Sequence, residues 1–168
     1  KPVSQVYSCS PSTQEELKSI IYDRIKKEGN KCDLNDIDVS KIVDMRDLFH
    51  SSKFNGDISE WDVSNVKNMS GMFWNSDFNG DISKWNVSNV EDMYSMFDRS
   101  KFDKDISDWD VSKVEDMSCM FYKSNFNRDI SEWDVSNVKN MCEMFNTSKF
   151  NRDISEWDVS NVEDMGGM

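Results

Sequence analysis

Several features that point to common protein functions are absent from this chain of 168 residues. No apolar stretch approaches the ~20 residues that a membrane-spanning helix needs, and no apolar signal segment precedes Lys1. The single histidine, His50, has no cysteine or serine nucleophile placed beside it by the repeat. The many carboxylates are spread evenly along the chain, whereas an active site would set one region apart. We therefore expect no direct membrane insertion, no cofactor and no enzymatic activity.

Cysteine is scarce, and its spacing does not suit a zinc site. Cys9, Cys32, Cys119 and Cys142 lack the paired close spacing of zinc ligands. Cys9 and Cys32 flank the N-terminal segment, so they would form a disulfide in a secreted protein or remain free thiols. Cys119 and Cys142 stand one position out of register on adjacent repeats, and we predict a free, partly buried thiol at each.

Positive charge is also in short supply. The chain has 20 Lys and Arg against 32 Asp and Glu, which gives a formal charge of -12. A surface of that sign repels phosphate backbones and anionic lipids, so nucleic-acid and membrane-surface binding are disfavoured. Cationic or neutral partners remain compatible with this charge.

What the chain has in abundance is a repeat of 24 residues. The phrase FNGDISEWDVSNVKNMSGMF begins at Phe54 and returns four times with little change. This period is typical of stacked-repeat proteins, which are usually binding surfaces or spacers. We predict a lead-in and capping helix at 1–29 and a solenoid at 30–168, with a degenerate rung at 30–53, full rungs at 54–77, 78–101, 102–125 and 126–149, and a truncated rung at 150–168.

Each repeat predicts a short strand, a turn, a helix and a return loop. Ile58, Trp61 and Val63 have the spacing of a leucine-rich-repeat strand. Ser64 is placed as a helix N-cap, and the apolar residues after it recur at helical spacing. Because parallel strands stack ~4.8 Å apart and helices ~8–10 Å apart, the rungs should fan into an arc. The predicted fold class is α/β, a right-handed leucine-rich-repeat-like solenoid with an N-terminal helical cap.

The predicted cap is an amphipathic helix that begins after Ser12. Glu15 completes a capping box with Ser12, and Gly29 is a natural left-handed stop. An apolar stripe suggests a lid over the N-terminal end of the stack. The stripe consists of Leu17, Ile20, Ile21 and Ile25.

Two residue types occupy fixed positions that predict the core. All eleven methionines fall in two columns of the repeat, where their adaptable thioethers suit packing better than metal ligation. The tryptophan column shares a face with Val63 and its equivalents, which predicts a buried aromatic ladder. A carbohydrate platform is the alternative for that column. Its members are Trp61, Trp85, Trp109, Trp133 and Trp157.

Two acidic columns begin at Asp57 and Asp62. Stacked carboxylates repel unless turn N–H groups or the hydroxyls of Ser59, Ser64 and their equivalents compensate them. The alternative is a calcium-dependent carbohydrate-binding module. Because neither an EF-hand loop nor a glycine-rich calcium nonapeptide is present, no metal site is predicted.

The positions that vary most between repeats are predicted to face water. Core positions cannot vary so widely without cavities or strain, and exposed aromatic residues are favoured at interface hot spots. We therefore predict a binding patch, with ordinary drift at surface sites as the alternative. The patch comprises Trp74, Tyr94, Asp98, Arg99, Tyr122 and Lys123.

The last rung ends at Met168, inside its predicted helix. Its apolar residues should lie at an unprotected end, so either further rungs follow or the end pairs with another molecule in end-to-end self-association. These residues are Phe150, Ile154, Trp157, Val159 and Val162.

The unit FNxDISxWDVSNVxxMxxMFxxS, with the preceding SPSTQEELKSIIYDRIKKEGNKCDLNDIDVSKIVDMRDLF, resembles the short repeat of BspA-like bacterial surface proteins, which is also abundant in mycoplasma lipoproteins and some giant viruses. The resemblance covers 12–168. It implies a leucine-rich-repeat-like solenoid on a cell or particle, with adhesion or host interaction as its role and no catalytic residue to carry over. A sorting signal and a lipobox are not seen, and Cys9 has no apolar segment before it.

The predicted function is a non-catalytic repeat protein that presents a protein-binding surface. We expect it at the cell surface, outside the cell or on a virion or particle, with a partner on a host surface or in the extracellular matrix. A passive structural stalk is the first alternative, and the calcium-dependent carbohydrate-binding module is the second.

Overall fold

One α-helix opens the part of the chain that the structure describes. The computed structural model describes residues 6–168, so the first five residues of the predicted lead-in lie outside it. Helix α1 spans Gln14–Glu28, with Thr13 as its N-cap and Gly29 at its end with φ 90°. Glu16 donates its N–H to Thr13 Oγ1 at 3.2 Å and accepts the N–H of Ser12 at 2.8 Å. The predicted capping box on Ser12 and Glu15 is therefore wrong by one residue, although the helix itself is confirmed.

Helix α1 packs on the first rung as the predicted lid. Leu17 and Ile21 are buried, and the two other residues of the stripe pack partly against the same core. Arg24 anchors the helix with bonds of 2.9 and 3.0 Å to the Asp36 carboxylate and 2.8 Å to the carbonyl of Asp33. The apolar stripe thus correctly predicts where the helix lies.

The predicted strand–turn–helix rungs are wrong. In residues 30–168 the backbone forms turns and isolated parallel bridges, with neither a helix nor an extended strand. Ser64 is not a helix N-cap, because turns follow it and not a helix; its N–H bonds the side chain of Asp62 at 3.1 Å. The leucine-rich-repeat-like α/β solenoid is therefore replaced by a stack of turn-built rungs. One parallel bridge recurs along this stack and joins, in succession, Asp44, Asn68, Asp92, Asp116, Asn140 and Asp164.

The spacing that suggested helices comes from β-turns. Met72 donates its N–H to the carbonyl of Met69 at 3.1 Å, and Val66 donates to that of Val63 at 2.9 Å. A turn of this kind has an i to i+3 hydrogen bond, so apolar residues three apart stand at its two ends. A helix of eight residues would also be marginal by itself. Three-residue spacing over so short a segment therefore fits consecutive turns as well as a helix.

Neighbouring rungs are joined where the helix was predicted. Alternate residues donate their N–H groups to the next rung, as Gly71 does to Tyr94 at 2.8 Å and Phe73 does to Met96 at 2.9 Å. These bonds are incompatible with the i to i+4 pattern of a helix. We call this segment the turn ribbon, which comprises residues 45–51, 69–75, 93–99, 117–123 and 141–147.

The core lies inside the rungs and consists of stacked columns. The five tryptophans of the predicted ladder are 3–8% exposed, which confirms that they are buried. Each donates its indole N–H to a backbone carbonyl of the preceding rung, as Trp85 does to Ile58 at 3.1 Å. The methionine columns are also core, although Met165 in the last rung is 41% exposed. Phenylalanine columns run beside them, with Phe73 and Phe97 stacked at 5.6 Å between ring centroids.

Candidate functional site

The six predicted binding residues all lie on the turn ribbon. Trp74, Asp98 and Tyr122 occupy the same position in three successive rungs, and Arg99 and Lys123 each follow one of them. Their backbones are joined directly, because Arg99 donates its N–H to the carbonyl of Tyr122 at 2.7 Å. Five of the six residues thus form two adjacent columns.

Trp74 is less exposed than the sequence predicts. The indole is half-buried, and the ring of His50 from the preceding rung stacks on it at 4.4 Å between centroids and 9° between planes. The indole Nε1 atom is buried and has no hydrogen-bond partner within residues 6–168. His50 therefore belongs to the site, a role that the sequence did not predict. The usable signal was that position 50 in the degenerate rung is equivalent to position 74.

The prediction that Asp98 faces water is wrong. Its side chain is only 9% exposed, in a column whose next member is Tyr122. Burial raises the pKa of the Asp98 carboxyl, and the nearby charges of Arg99 and Lys123 oppose that rise. Oδ1 has no hydrogen-bond partner in the described chain, and the closest cationic atom to it is Arg99 Nε at 3.9 Å. Asp98 thus contributes a buried charge to the site and little accessible surface.

Tyr122 carries two cations above its ring. The guanidinium of Arg99 lies 5.3 Å from the ring centroid, and the ammonium of Lys123 lies 5.0 Å from it. Cation–π contacts of this kind are weak at exposed positions but hold the long side chains near the ring. Tyr94 lies four positions before Asp98 in the same rung and is 49% exposed. The accessible surface therefore combines aromatic rings with positive charge.

The two acidic columns are built into turns. Oδ1 of Asp57 accepts the N–H of Ser59 at 2.9 Å, and Oδ1 of Asp110 accepts both the N–H and the hydroxyl of Ser112 at 3.1 and 2.6 Å. These hydrogen bonds lower the pKa of both carboxyls. The compensation predicted from turn N–H groups and serine hydroxyls is thus confirmed. Within residues 6–168 no three carboxylate, histidine or cysteine side chains converge as a metal site would require.

The four cysteines are free thiols. Cys32 is buried, and the other three are half-buried, which agrees with the prediction for Cys119 and Cys142. Burial raises the pKa of the Cys32, Cys119 and Cys142 thiols. A raised pKa lowers the thiolate fraction at neutral pH, so none of the three has the properties of a reactive nucleophile.

Comparison with known proteins gives one match. The model of a family described as "Mycoplasma protein of unknown function, DUF285" matches residues 16–124 and 98–168. Neither a curated protein nor a solved structure matches the chain. In the described residues, no helix has the length and apolarity that crossing a bilayer requires.

Proposed function

Because the chain belongs to the DUF285 family of mycoplasma repeat proteins, we propose that it is a non-catalytic protein that binds another protein through the patch on its turn ribbon. The patch consists of Trp74, Tyr94, Asp98, Arg99, Tyr122 and Lys123, with His50 added by the stacking on Trp74. The partner is a protein on a host surface or in the extracellular matrix. The binding protein acts outside the cell, in the manner of the BspA-like surface proteins that its repeat resembles.

The observation that carries the proposal is the exposed aromatic and cationic surface around Tyr122. Tyr94 exposes 49% of its surface, and Arg99 and Lys123 are held over the ring of Tyr122. Tyrosine, tryptophan and arginine are the residues most enriched at interface hot spots. Side chains already held in place lose little conformational entropy on binding, which favours affinity.

The test is saturable binding of labelled protein to host cells and purified matrix proteins. The patch variant changes Trp74, Tyr94 and Tyr122 to alanine. The matched control changes Tyr7 and Tyr22 to alanine, because these tyrosines are 43% and 67% exposed and lie outside the patch. Thermal melts show that both variants are folded before binding is compared.

The proposal predicts binding that the patch variant loses and the control keeps. Equal loss in both variants would contradict a local patch, and binding kept by both would move the site elsewhere. If no sample binds any partner, the protein is a spacer. The uniform rungs, with each indole of the tryptophan column bonded to the preceding rung, are compatible with that role.

A further inference from the structure

Positive and negative charges concentrate in different segments of the repeat. We call residues 50–53, 74–77, 98–101, 122–125 and 146–149 the cationic edge, and residues 57–62, 81–86, 105–110, 129–134 and 153–158 the acidic face. The cationic edge carries five Lys and Arg against two Asp. The acidic face carries thirteen Asp and Glu against one Lys, and three further cations, Lys104, Arg128 and Arg152, lie beside it, so it remains strongly acidic. A chain with a net charge of -12 thus has one set of equivalent segments whose net charge is positive.

Three of the five cations of the edge are available to a partner. Lys101 pairs with Asp77 at 2.7 Å. Lys53, Lys123 and Lys149 are exposed, and within residues 6–168 none of them forms an ion pair. The carboxylate of Asp98 is buried and neutralises little of the outer surface. An anionic partner therefore meets uncompensated positive charge here.

The acidic face offers a matching surface. Glu60, Asp108, Glu132 and Glu156 share one exposed column of that face, and none is in an ion pair within the described residues. Both surfaces follow the same rungs, so their charges repeat with the same axial spacing of about 4.8 Å. Two copies of the chain can thus align cationic edge against acidic face, rung by rung.

We propose that the cationic edge binds the acidic face of a second copy of this chain. The inference rests on the proposed function in that it assigns a partner to the same side of the stack. The contact is heterologous, so each copy in a pair keeps one free edge and one free face, and association continues into open assemblies. Charge complementarity between these two surfaces supports a second copy as the partner. A dense polyanion such as nucleic acid fits less well, because the rest of the surface would repel it.

The contact is weak by its size. A strip five rungs long and four residues wide covers about 300 Å² on each copy at ordinary backbone spacings, below the roughly 800 Å² per partner of a standard interface. Net charge also opposes association, but at 0.15 M salt this repulsion is screened beyond about 8 Å, while contacts closer than that persist. Association is therefore expected at high protein concentration and moderate salt.

Sedimentation velocity tests the proposal, from about 10 to 500 μM protein in 0.15 M and about 1 M salt. The edge variant is Lys53→Glu with Lys149→Glu. Asp77 occupies the same position of the repeat in another rung, so the fold accepts an acidic side chain there. The control, Lys31→Glu with Lys41→Glu, makes the same change of net charge at exposed residues outside the edge.

A complementary variant reverses charge on the acidic face. It combines Asp108→Lys with Glu132→Lys, in a column where Lys84 already stands. Each of the two variants keeps one of the two surfaces. Mixed together, they bring the intact acidic face of the first variant to the intact cationic edge of the second, a contact that neither variant can form alone.

The expected result is a sedimentation coefficient that rises with concentration for the wild type and the control at 0.15 M salt. That rise is lost at high salt and in either variant alone, and the mixture restores association. A wild type that stays monomeric at every concentration overturns the inference, as does association that survives high salt or is lost equally in the control. Binding of a foreign protein by the aromatic patch is measured separately, so the proposed function can stand when this inference fails.

Discussion

The acidic face and the turn ribbon satisfy their backbone groups in different ways. On the acidic face, side chains cap the turns, as Asp81 does by accepting the N–H of Ser83 at 3.0 Å. On the turn ribbon, the backbone bonds the next rung, as Met69 does to Asp92 at 2.9 Å. The aspartate column that begins at Asp57 is the same in five rungs, whereas the column of Trp74 has a different residue in each rung. A side chain that replaces a backbone partner is constrained, and one that only projects from a bonded backbone can vary.

The turn ribbon also carries backbone strain that the acidic face lacks. Nine residues other than glycine have positive φ within residues 6–168, and all lie on the ribbon in two columns. Gly71 and Gly167 occupy one of these columns, in which Asp47, Ser95, Cys119 and Glu143 are the strained members. Each residue with a Cβ in this conformation costs roughly 1 kcal/mol. Bonds between rungs therefore hold the ribbon in a conformation that its own sequence disfavours.

The largest expected effect is the difference in unfolding free energy between a change in the core behind the acidic face and a change in the patch on the turn ribbon. Trp109 is 3% exposed and donates its indole N–H to Ile82 at 3.1 Å, so Trp109→Ala should destabilise the fold by about 3–5 kcal/mol. Trp74→Ala removes a half-buried ring stacked on His50 and should cost about 1 kcal/mol. Urea unfolding of the two variants measures the difference. Equal losses would show that the ribbon tryptophan is as much a part of the core as Trp109.

The next effect concerns the turn caps and their dependence on pH. Asp105 accepts the N–H of Ser107 at 3.0 Å, and that bond lowers the pKa of Asp105. Its contribution to stability is therefore present above the unfolded pKa of about 4 and is lost as pH falls through the folded pKa. Because the side chain is exposed and screened by solvent, Asp105→Ala should cost only about 0.5–1 kcal/mol at neutral pH.

Asp105→Asn is the matched control, because Asn86 fills an equivalent capping role with an Oδ1 contact of 3.1 Å to Ser88 N. This variant should keep most of the stability at neutral pH and lose the dependence of that stability on pH.

The pKa of Asp98 is shifted in the opposite direction from that of Asp105, because burial raises it. Its ionisation penalty disappears as pH falls below the folded pKa, so Asp98→Asn should raise the melting temperature at pH 7 and less at pH 4. Melts across pH 3–7 check both signs.

Sequence reasoning found the buried columns but misread the backbone that carries them. Met69 and Trp61 were placed in the core because burial depends on spacing, and turns give the same three-residue spacing as a helix. The bonds between rungs were missed because they pair residues 23 apart, such as Phe73 and Met96. Asp98 was placed in water because its column varies, although stacking in that column buries it. Local pattern thus predicts which residues are inside, and the contacts between rungs decide the conformation.

A smaller effect tests the strain of the turn ribbon directly. Thr147 is exposed and has φ 58°, an unfavourable conformation for a β-branched residue. Thr147→Gly should stabilise the protein by about 0.5–1 kcal/mol, after part of the relief is offset by the added freedom of the unfolded chain. Ser155→Gly on the acidic face is the control, because Ser155 is not among the residues with positive φ, and this change should destabilise. Loss of stability in both variants would rule out strain at Thr147.

The smallest expected effect concerns a bond between rungs that one residue interrupts. Asn89 and Asn137 each donate a side-chain N–H to a serine carbonyl of the preceding rung, at 2.8 and 2.7 Å. Lys113 stands in the same column between them, and its ammonium instead bonds Asn89 Oδ1 at 2.6 Å. Lys113→Asn should restore the amide bond to the carbonyl of Ser88 and add about 0.5 kcal/mol, the lower range for an exposed hydrogen bond. Lys113→Ala is the control, because it removes the ammonium bond to Asn89 and supplies no amide in its place. A gain with asparagine and none with alanine would show that the side-chain bonds between rungs, like the turn caps, constrain which residue a column accepts.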